Sequence, residues 1–432
     1  MSGKISDNLG RSSGLIKAVS AGRTGTVDWD TTPKTGTVTA ASGNGYFINT
    51  SGGGITVNLP AGSAGSIVSV ADYAATWDSN ACTVSPNGSE KIGSINGDVA
   101  LTTKGQSVTF VYVDSTQGWL NTMDSTSNVR ASAFVTATGG TITTSGDYKI
   151  HTFTSPGTFS VSGVGPGSPT QSDEASYVVV AGGGGGGYQF GGGAGAGGFR
   201  EGKNSSDPYA DSPLDSGTAI TLSSSPGSYP IVVGGGGAGA PNSTSANGSA
   251  GSNSSFSTIT SAGGGYGSRN GSPYPGGAGG SGGGGGSFGG PVNPGGAGNT
   301  PPVSPAQGFA GGSGSAGPPD PGFQAGGGGG GATAVGTPKG PDGTVAANGG
   351  AGATSSITGS PVARAGGGGG GASSAPAVVG AGGSGGGGDG SNPAGCAPDA
   401  ADNLGGGGGG GGPSQAGNAG GSGTVIIRYK YQ

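Results

Sequence analysis

Unbroken blocks of glycine limit most strongly what this chain can fold into. Glycine fills positions 182–187 and 405–412 without a break, and the 432 residues include 112 Gly and 28 Pro. Both residue types weaken helices and central strands, so the composition excludes a helical protein. A collagen triple helix is excluded as well, because it needs glycine at every third position with proline between rather than glycine in blocks.

Charge and the rare residue types exclude several classes of partner. The 16 basic and 21 acidic residues give a net charge of -5, so we expect no nucleic-acid partner. No stretch approaches the ~20 apolar residues of a membrane span, and no secretion signal is evident, so we expect no membrane insertion. One histidine and the distant Cys82 and Cys396 form no cluster with metal-ligand spacing, which predicts neither metal nor other cofactor. Spacing alone does not decide whether the two cysteines are free.

Changes in composition divide the chain into four predicted parts. Residues 1–25 are polar with a small apolar cluster and are interpreted as an attachment segment. Residues 26–130 contain short β-branched runs about ten residues apart, which is typical of an all-β head. Residues 131–165 contain alternating runs that predict a small β connector domain, and residues 166–432 are glycine-rich.

Two features of the head have specific structural implications. Asn87-Gly88 and Asn96-Gly97 lie where hairpin turns are expected, and Trp77 and Trp119 are predicted to be core or subunit-contact residues. Short strands with open edges and few apolar residues predict that burial is completed between subunits in a homotrimer.

In the glycine-rich part, a short strand repeatedly runs directly into a glycine block, as at 177–181 before Gly182. A flexible linker would carry Ser or charge and would lie between domains. Packed polyproline-II-type helices, with a rise of about 3.1 Å per residue, have no internal hydrogen bonds and can pair with neighbouring helices where side chains are absent. The fixed order of strand and block favours packed helices over a linker.

The predicted fold class is therefore all-β plus polyglycine-II, with a short-stranded β head followed by a glycine-rich lattice of packed helices. The glycines assigned to the lattice are Gly184, Gly236, Gly284, Gly328, Gly368 and Gly408.

Irregular loops with isolated aromatic residues separate the glycine blocks. A rigid scaffold that carries irregular loops is the usual arrangement of a recognition surface. The alternative is that each aromatic side chain only covers an end of the lattice. The predicted receptor-binding residues are Tyr209, Arg269, Tyr274, Phe309 and Phe323.

No constellation of residues predicts catalysis. Asp28 and Asp30 are two residues apart on a candidate strand, and no second feature marks a glycosidase site. His151 lies in an alternating strand, where an exposed or hydrogen-bonded position is expected rather than a catalytic one. We therefore predict that the protein is not an enzyme.

Residues 166–432 resemble the polyglycine-II sandwich domains of bacteriophage tail-fibre adhesins. Residues 10–17 and 45–92 are similar to N-terminal parts of tail-fibre proteins of marine and cyanobacterial phages. The resemblance implies a virion protein, extracellular when acting, that attaches to the tail or a fibre protein by its N-terminal part. Its loops would recognise a host surface glycan or an outer-membrane protein.

The pattern departs from these adhesins in two respects. The head and the glycine-rich part share one chain, and no coiled-coil or β-helical shaft is evident. An alternative therefore stays open, in which the protein is a self-assembling structural filament or a virion decoration protein with no receptor role.

Overall fold

The computed structural model describes residues 27–125, 134–164, 173–242, 246–271, 273–287, 292–315, 324–339, 347–373 and 379–432. These residues belong to two compact units, Met1–Arg130 and Ala131–Gln432. Strands and extended segments make up the described ranges, which contain no helix, so the all-β prediction is confirmed. No helix long and apolar enough to cross a membrane occurs in them.

Residues 27–125 of the first unit form nine strands in two sheets. One sheet has the order β1-β3-β5-β8-β9 and the other the order β2-β4-β6-β7. The strands are β1 (Asp28–Lys34), β2 (Val38–Thr39), β3 (Asn44–Ile48), β4 (Ile55–Asn58), β5 (Ile67–Asp72), β6 (Cys82–Ser85), β7 (Val99–Leu101), β8 (Ser107–Asp114) and β9 (Gly118–Ser125).

The first six strands of this unit alternate between the two sheets. Strands β1, β3 and β5 are parallel neighbours in one sheet, as are β2, β4 and β6 in the other. Asn87-Gly88 and Asn96-Gly97 both lie in the long connection between the antiparallel neighbours β6 and β7, so neither pair forms a tight turn that joins two strands directly. Two parallel neighbouring strands must be joined by a crossover connection. In this unit each such connection contains one strand of the opposite sheet.

Apolar side chains of both sheets meet in one core. Ile48, Val57 and Val68 are fully buried there together with Trp77 and Trp119. The tryptophans therefore occupy the core, one of the two positions that the sequence left open.

Both cysteines are free, which answers the question that their spacing left open. Cys82 is buried in the core of the first unit, and Cys396 is exposed. Burial raises the pKa of the Cys82 thiol to about 12, with a smaller contribution from the Asp72 carboxylate.

The described residues of the second unit form two larger sheets and one separate hairpin. Their orders are β10-β13-β17-β18-β19 and β11-β12-β22-β14-β15, with β16 beside β14 and β20 paired with β21. The strands are β10 (Thr136–Thr138), β11 (Thr141–Ser145), β12 (Tyr148–Phe153), β13 (Gly157–Gly163), β14 (Glu174–Val180), β15 (Phe199–Gly202), β16 (Ile220–Thr221), β17 (Ser228–Val232), β18 (Ser254–Phe256), β19 (Ile259–Ser261), β20 (Ala353–Ser355), β21 (Val362–Arg364) and β22 (Thr424–Lys430).

Strands from the predicted connector are built into these sheets. β12 pairs with the last strand, β22, and β13 pairs with β17. The buried side chains of Phe159, Phe256, Val179 and Ile427 fill the space between the sheets. Residues 134–164 therefore belong to the same compact unit as the glycine-rich part and do not form the separate connector domain expected from composition.

The glycine segments between the strands are extended and bonded to one another through their backbones. In segment 182–187, three successive N–H groups donate to three different segments, and the next three N–H groups donate to the same segments in the same order. These acceptor segments are 249–252, 418–421 and 192–195. The C=O groups of this segment accept from three other segments in an order that also repeats after three residues: 264–267, 237–240 and 408–411. All twelve of these N···O distances lie between 2.8 and 3.1 Å. Three acceptor and three donor segments surround one axis, as expected for a threefold polyproline-II-type helix inside a lattice.

The close spacing of the segments explains why they consist of glycine. A Cβ added at Gly184 would overlap the carbonyl group of Gly265, and one at Gly408 would overlap that of Asn418. The same holds for the other predicted lattice glycines, which face the carbonyl groups of other segments: Gly236, Gly284, Gly328 and Gly368.

In two outer segments the glycines that face segment 182–187 recur with a period of three. Gly417, Gly420 and Gly423 each face the carbonyl groups of residues 180–187. Gly248 and Gly251 face the same segment from another side. Between Gly248 and Gly251 the chain carries the side chains of Ser249 and Ala250, so this outer segment has glycine with a period of three.

We predict that Gly184→Val destabilises the glycine-rich unit strongly, whereas Gly235→Val does not. Gly235 is exposed, and a Cβ at this position would have no atom within 4 Å, although it belongs to another glycine block. Thermal unfolding followed by circular dichroism should show a large loss for Gly184→Val and a change within about ±0.5 kcal/mol for Gly235→Val. Equal melting of the two variants would contradict the packed lattice.

The only histidine lies inside the second unit. His151 is fully buried on β12, its Nδ1 is 2.7 Å from the Gly139 carbonyl oxygen, and its Nε2 is 2.9 Å from the Tyr429 hydroxyl. The ring stacks on Tyr429 and meets the edge of Phe159. Of the two positions expected from the sequence, the hydrogen-bonded one is found. Burial lowers the pKa of His151 below its usual value of 6.5.

This lowered pKa predicts a loss of stability on mild acidification. The unfolded chain takes up a proton near pH 6.5 and the folded one only at lower pH, so stability is complete above about 6.5 and falls as the pH drops. Urea unfolding between about pH 8 and about pH 5.5 should show this loss, and His151→Gln should reduce it. An identical pH dependence in both proteins would contradict the assignment to His151.

Candidate functional site

The glycine segments run alternately away from the two sheets and back toward them. Segment 182–187 leaves β14, and segment 191–198 returns to β15. The connecting residues therefore gather at the end of the lattice remote from the sheets. We call this end, with its described residues 188–190, 269–271, 273–275, 391–397 and 412–415, the far end, and the opposite end the sheet end.

Arg269 and Tyr274 form a stacked pair at the far end. The guanidinium carbon lies 3.8 Å from the centre of the tyrosine ring, and both side chains are half-buried. The Arg269 N–H donates to Asn247 Oδ1 and the Tyr274 N–H to Asn293 Oδ1, each at 3.0 Å. The backbone on both sides of this pair is therefore fixed to neighbouring segments.

Further amides secure the same surface. Asn270 Nδ2 donates to Gln189 Oε1 at 3.1 Å, and the nearly buried Asn293 donates from Nδ2 to the Gly286 carbonyl oxygen at 2.9 Å. These anchors are absent from the set predicted from the sequence, which rests on aromatic residues and arginine. The sequence pattern that could have predicted these anchors is Asn or Gln close to a glycine block. Where a glycine segment ends, its backbone N–H and C=O groups need other hydrogen-bond partners, which amide side chains can supply.

A family match covers most of the second unit, from β13 to β22. A family model described as a glycine-rich domain matches residues 154–430, from just after β12 to the end of β22. The chain belongs to this glycine-rich domain family. A search of the curated proteins found no match to the chain.

Of the other predicted recognition residues, Phe309 does not join the pair at the far end of the glycine-rich domain. Phe309 is 37% exposed, but its N–H donates to the Gly331 carbonyl oxygen near the sheet end. Phe323 lies outside the described residues.

Tyr209 is buried, in contrast to the exposed position expected for a receptor-binding residue. It is 7% exposed, lies at the sheet end, and packs in a cluster with Phe199 and Ile357. Its ring centre is 5.4 Å from the guanidinium carbon of Arg428. A serine- and aspartate-rich loop predicts exposure, but here the polar residues of the loop find partners beneath the sheet, which buries the tyrosine.

A buried ion pair holds this loop against the sheet. Arg428 Nε donates to Asp207 Oδ1 at 2.9 Å, and both side chains are almost fully buried. Ser176 Oγ donates to the other carboxylate oxygen at 3.0 Å. Burial raises the pKa of the Asp207 carboxyl above its usual value, and the positive charge of Arg428 opposes this rise. These contacts give the cluster a structural role at the sheet end.

A second buried carboxylate joins the hairpin of β20 and β21 to the same loop. Glu201 accepts hydrogen bonds from the Ser212 N–H at 2.9 Å and from Ser355 Oγ at 2.6 Å. Burial raises the pKa of Glu201. Within the described residues no three His, Cys, Asp or Glu side chains form a group suited to a metal ion.

Proposed function

We propose that this chain is a bacteriophage tail-fibre or adhesin protein that attaches to the virion by its N-terminal part and binds a host receptor with the far end of its glycine-rich domain. The receptor would be a cell-surface glycan or an outer-membrane protein. The observation that carries the proposal is the stacked Arg269–Tyr274 pair on a loop whose backbone is anchored to the lattice.

The lattice suits this role because it fixes loop ends without depending on loop sequence. Every backbone group of segment 182–187 pairs with a neighbour, so the ends of a loop are held wherever such a segment ends. A loop that is ordered before binding loses less conformational entropy when a partner arrives. Loop residues can also differ without changing the contacts inside the lattice.

The residue types at the far end support recognition. Arginine and tyrosine are among the residues most often found to dominate binding energy at interfaces. Their stacking leaves the remaining guanidinium N–H groups free to donate to a partner. Amide side chains such as Gln189 and Asn270 lie on the same surface and offer further polar groups.

We predict that Arg269→Ala and Tyr274→Ala each weaken adsorption to susceptible bacteria by about ten-fold or more, because each removes a central interface side chain. Phe309→Ala is the control, since it removes an exposed aromatic ring near the sheet end. Binding of the labelled full chain to a panel of bacterial strains measures the effect, and circular dichroism verifies the fold. Binding that is indifferent to both far-end changes would count against the proposal.

The proposed attachment role includes homotrimer formation by residues 1–130. Trp29 on β1 and Met123 on β9 are 42% and 64% exposed, and both belong to the outermost strands of one sheet. Exposed apolar residues on open sheet edges favour association with another copy.

Light scattering should therefore give the mass of a trimer for the full chain and of a monomer after deletion of residues 1–130. Met123→Lys places a charge on the open edge and should weaken the trimer without removing the unit. An unchanged oligomeric mass after the deletion would contradict the trimer proposal. Open-ended filaments in negative stain would favour the structural alternative over an adhesin.

A further inference from the structure

A cleft opens at the edge of the two sheets of the glycine-rich domain. The cleft has a volume of about 480 Å³ and lies beside β15, β16 and the turn between β18 and β19. Its lining includes Tyr177, Arg200, Ser216, Thr218, Thr221 and Thr258. This volume falls within the range of small-molecule sites, which is about 300–1,000 Å³.

Arg200 supplies a positive charge that has no partner among the described residues. It lies on the edge strand β15 between Phe199 and Glu201, whose side chains are buried on the other face of the sheet. Arg200 itself is half-buried and lines the cleft. Among the described residues no ion pair or side-chain hydrogen bond includes its guanidinium group. An unpaired, partly desolvated arginine is costly unless a ligand pairs with it.

Hydroxyl groups surround this charge. Ser216 Oγ is buried and has no hydrogen-bond partner in the described part of the chain, although it belongs to the cleft lining. Thr218, Thr221 and Thr258 are exposed and add donors and acceptors along the cleft. The residues that line the cleft carry no carboxylate.

We propose that the cleft binds a sugar carrying an oxyanion, with the anion on Arg200 and the ring hydroxyls on the serine and threonine side chains. The planar guanidinium group presents paired N–H donors that match carboxylate and phosphate oxygens. A row of hydroxyl groups extends the site beyond a simple ion, because each can donate to or accept from a sugar hydroxyl. The site lies at the sheet end and does not depend on the receptor role proposed for the far end.

Saturation-transfer NMR on the full chain tests this site with glucuronate, glucose 6-phosphate and glucose as probes. We expect transfer to at least one of the two anionic sugars and little to glucose. Arg200→Gln should weaken that binding by about ten-fold or more, because it removes the charged donor. Arg200→Lys should retain part of the affinity, since it keeps the charge and loses the paired donors.

Two further variants distinguish binding in this cleft from a general attraction of anions to the protein surface. Ser216→Ala should weaken binding with all charges unchanged, and Arg269→Gln removes a positive charge at the far end and should leave binding unaltered. Binding to glucuronate alone or glucose 6-phosphate alone supports the site and identifies the anion as carboxylate or phosphate. Equal binding of glucose, no binding of either anionic sugar, or binding indifferent to Arg200→Gln in a folded protein would overturn the proposal.

Discussion

Backbone hydrogen bonds between extended segments hold the glycine lattice together, and those of segment 182–187 exist because side chains are absent there. A polyproline-II-type helix has no internal hydrogen bonds, so one glycine segment gains nothing by ordering alone. Each glycine also loses more backbone entropy on folding than any other residue. Segment 182–187 is ordered because neighbours satisfy its N–H and C=O groups on every side. The lattice therefore forms collectively, and one misplaced Cβ affects several segments at once.

The sheets supply the alignment that glycine segments lack. Strand β14 continues directly into segment 182–187, and segment 412–423 leads back into β22, which pairs with β14. Below the lattice, Val180, Phe199 and Ile426 pack against alanines at the segment ends, including Ala196 and Ala365. Burial of these apolar side chains joins a conventional core to the side-chain-free lattice. The strands thereby set the position along the axis at which each segment begins.

Sequence patterns predict the parts of this structure that depend on the type of residue. They do not predict the parts that depend on which strands pair or on which distant residues meet. The glycine blocks predict the lattice and its central residues, such as Gly184, because no other residue fits there. β-Branched runs predict strands in the first unit but do not distinguish parallel crossovers from hairpins, since both bury alternate residues. The prediction for Tyr209 was wrong because its loop is polar, and its partners Asp207 and Arg428 are 221 residues apart in sequence. The period of three at Gly417, Gly420 and Gly423 is visible in the sequence, but only the lattice explains it.

The spacing of the glycines that face other segments determines which positions of the glycine-rich domain can be substituted. Segment 182–187 accepts no side chain, whereas the outer segment 248–251 carries the side chains of Ser249 and Ala250 between its two glycines. Loops at the far end are constrained only where they meet a segment, for example through Asn247 and Asn293. Substitutions at the far end, such as those at Arg269 and Tyr274, can therefore alter the surface without entering the lattice. A scaffold built in this way separates residues that determine the fold from residues that can contact a partner, because the former lack side chains and the latter project beyond the segment ends.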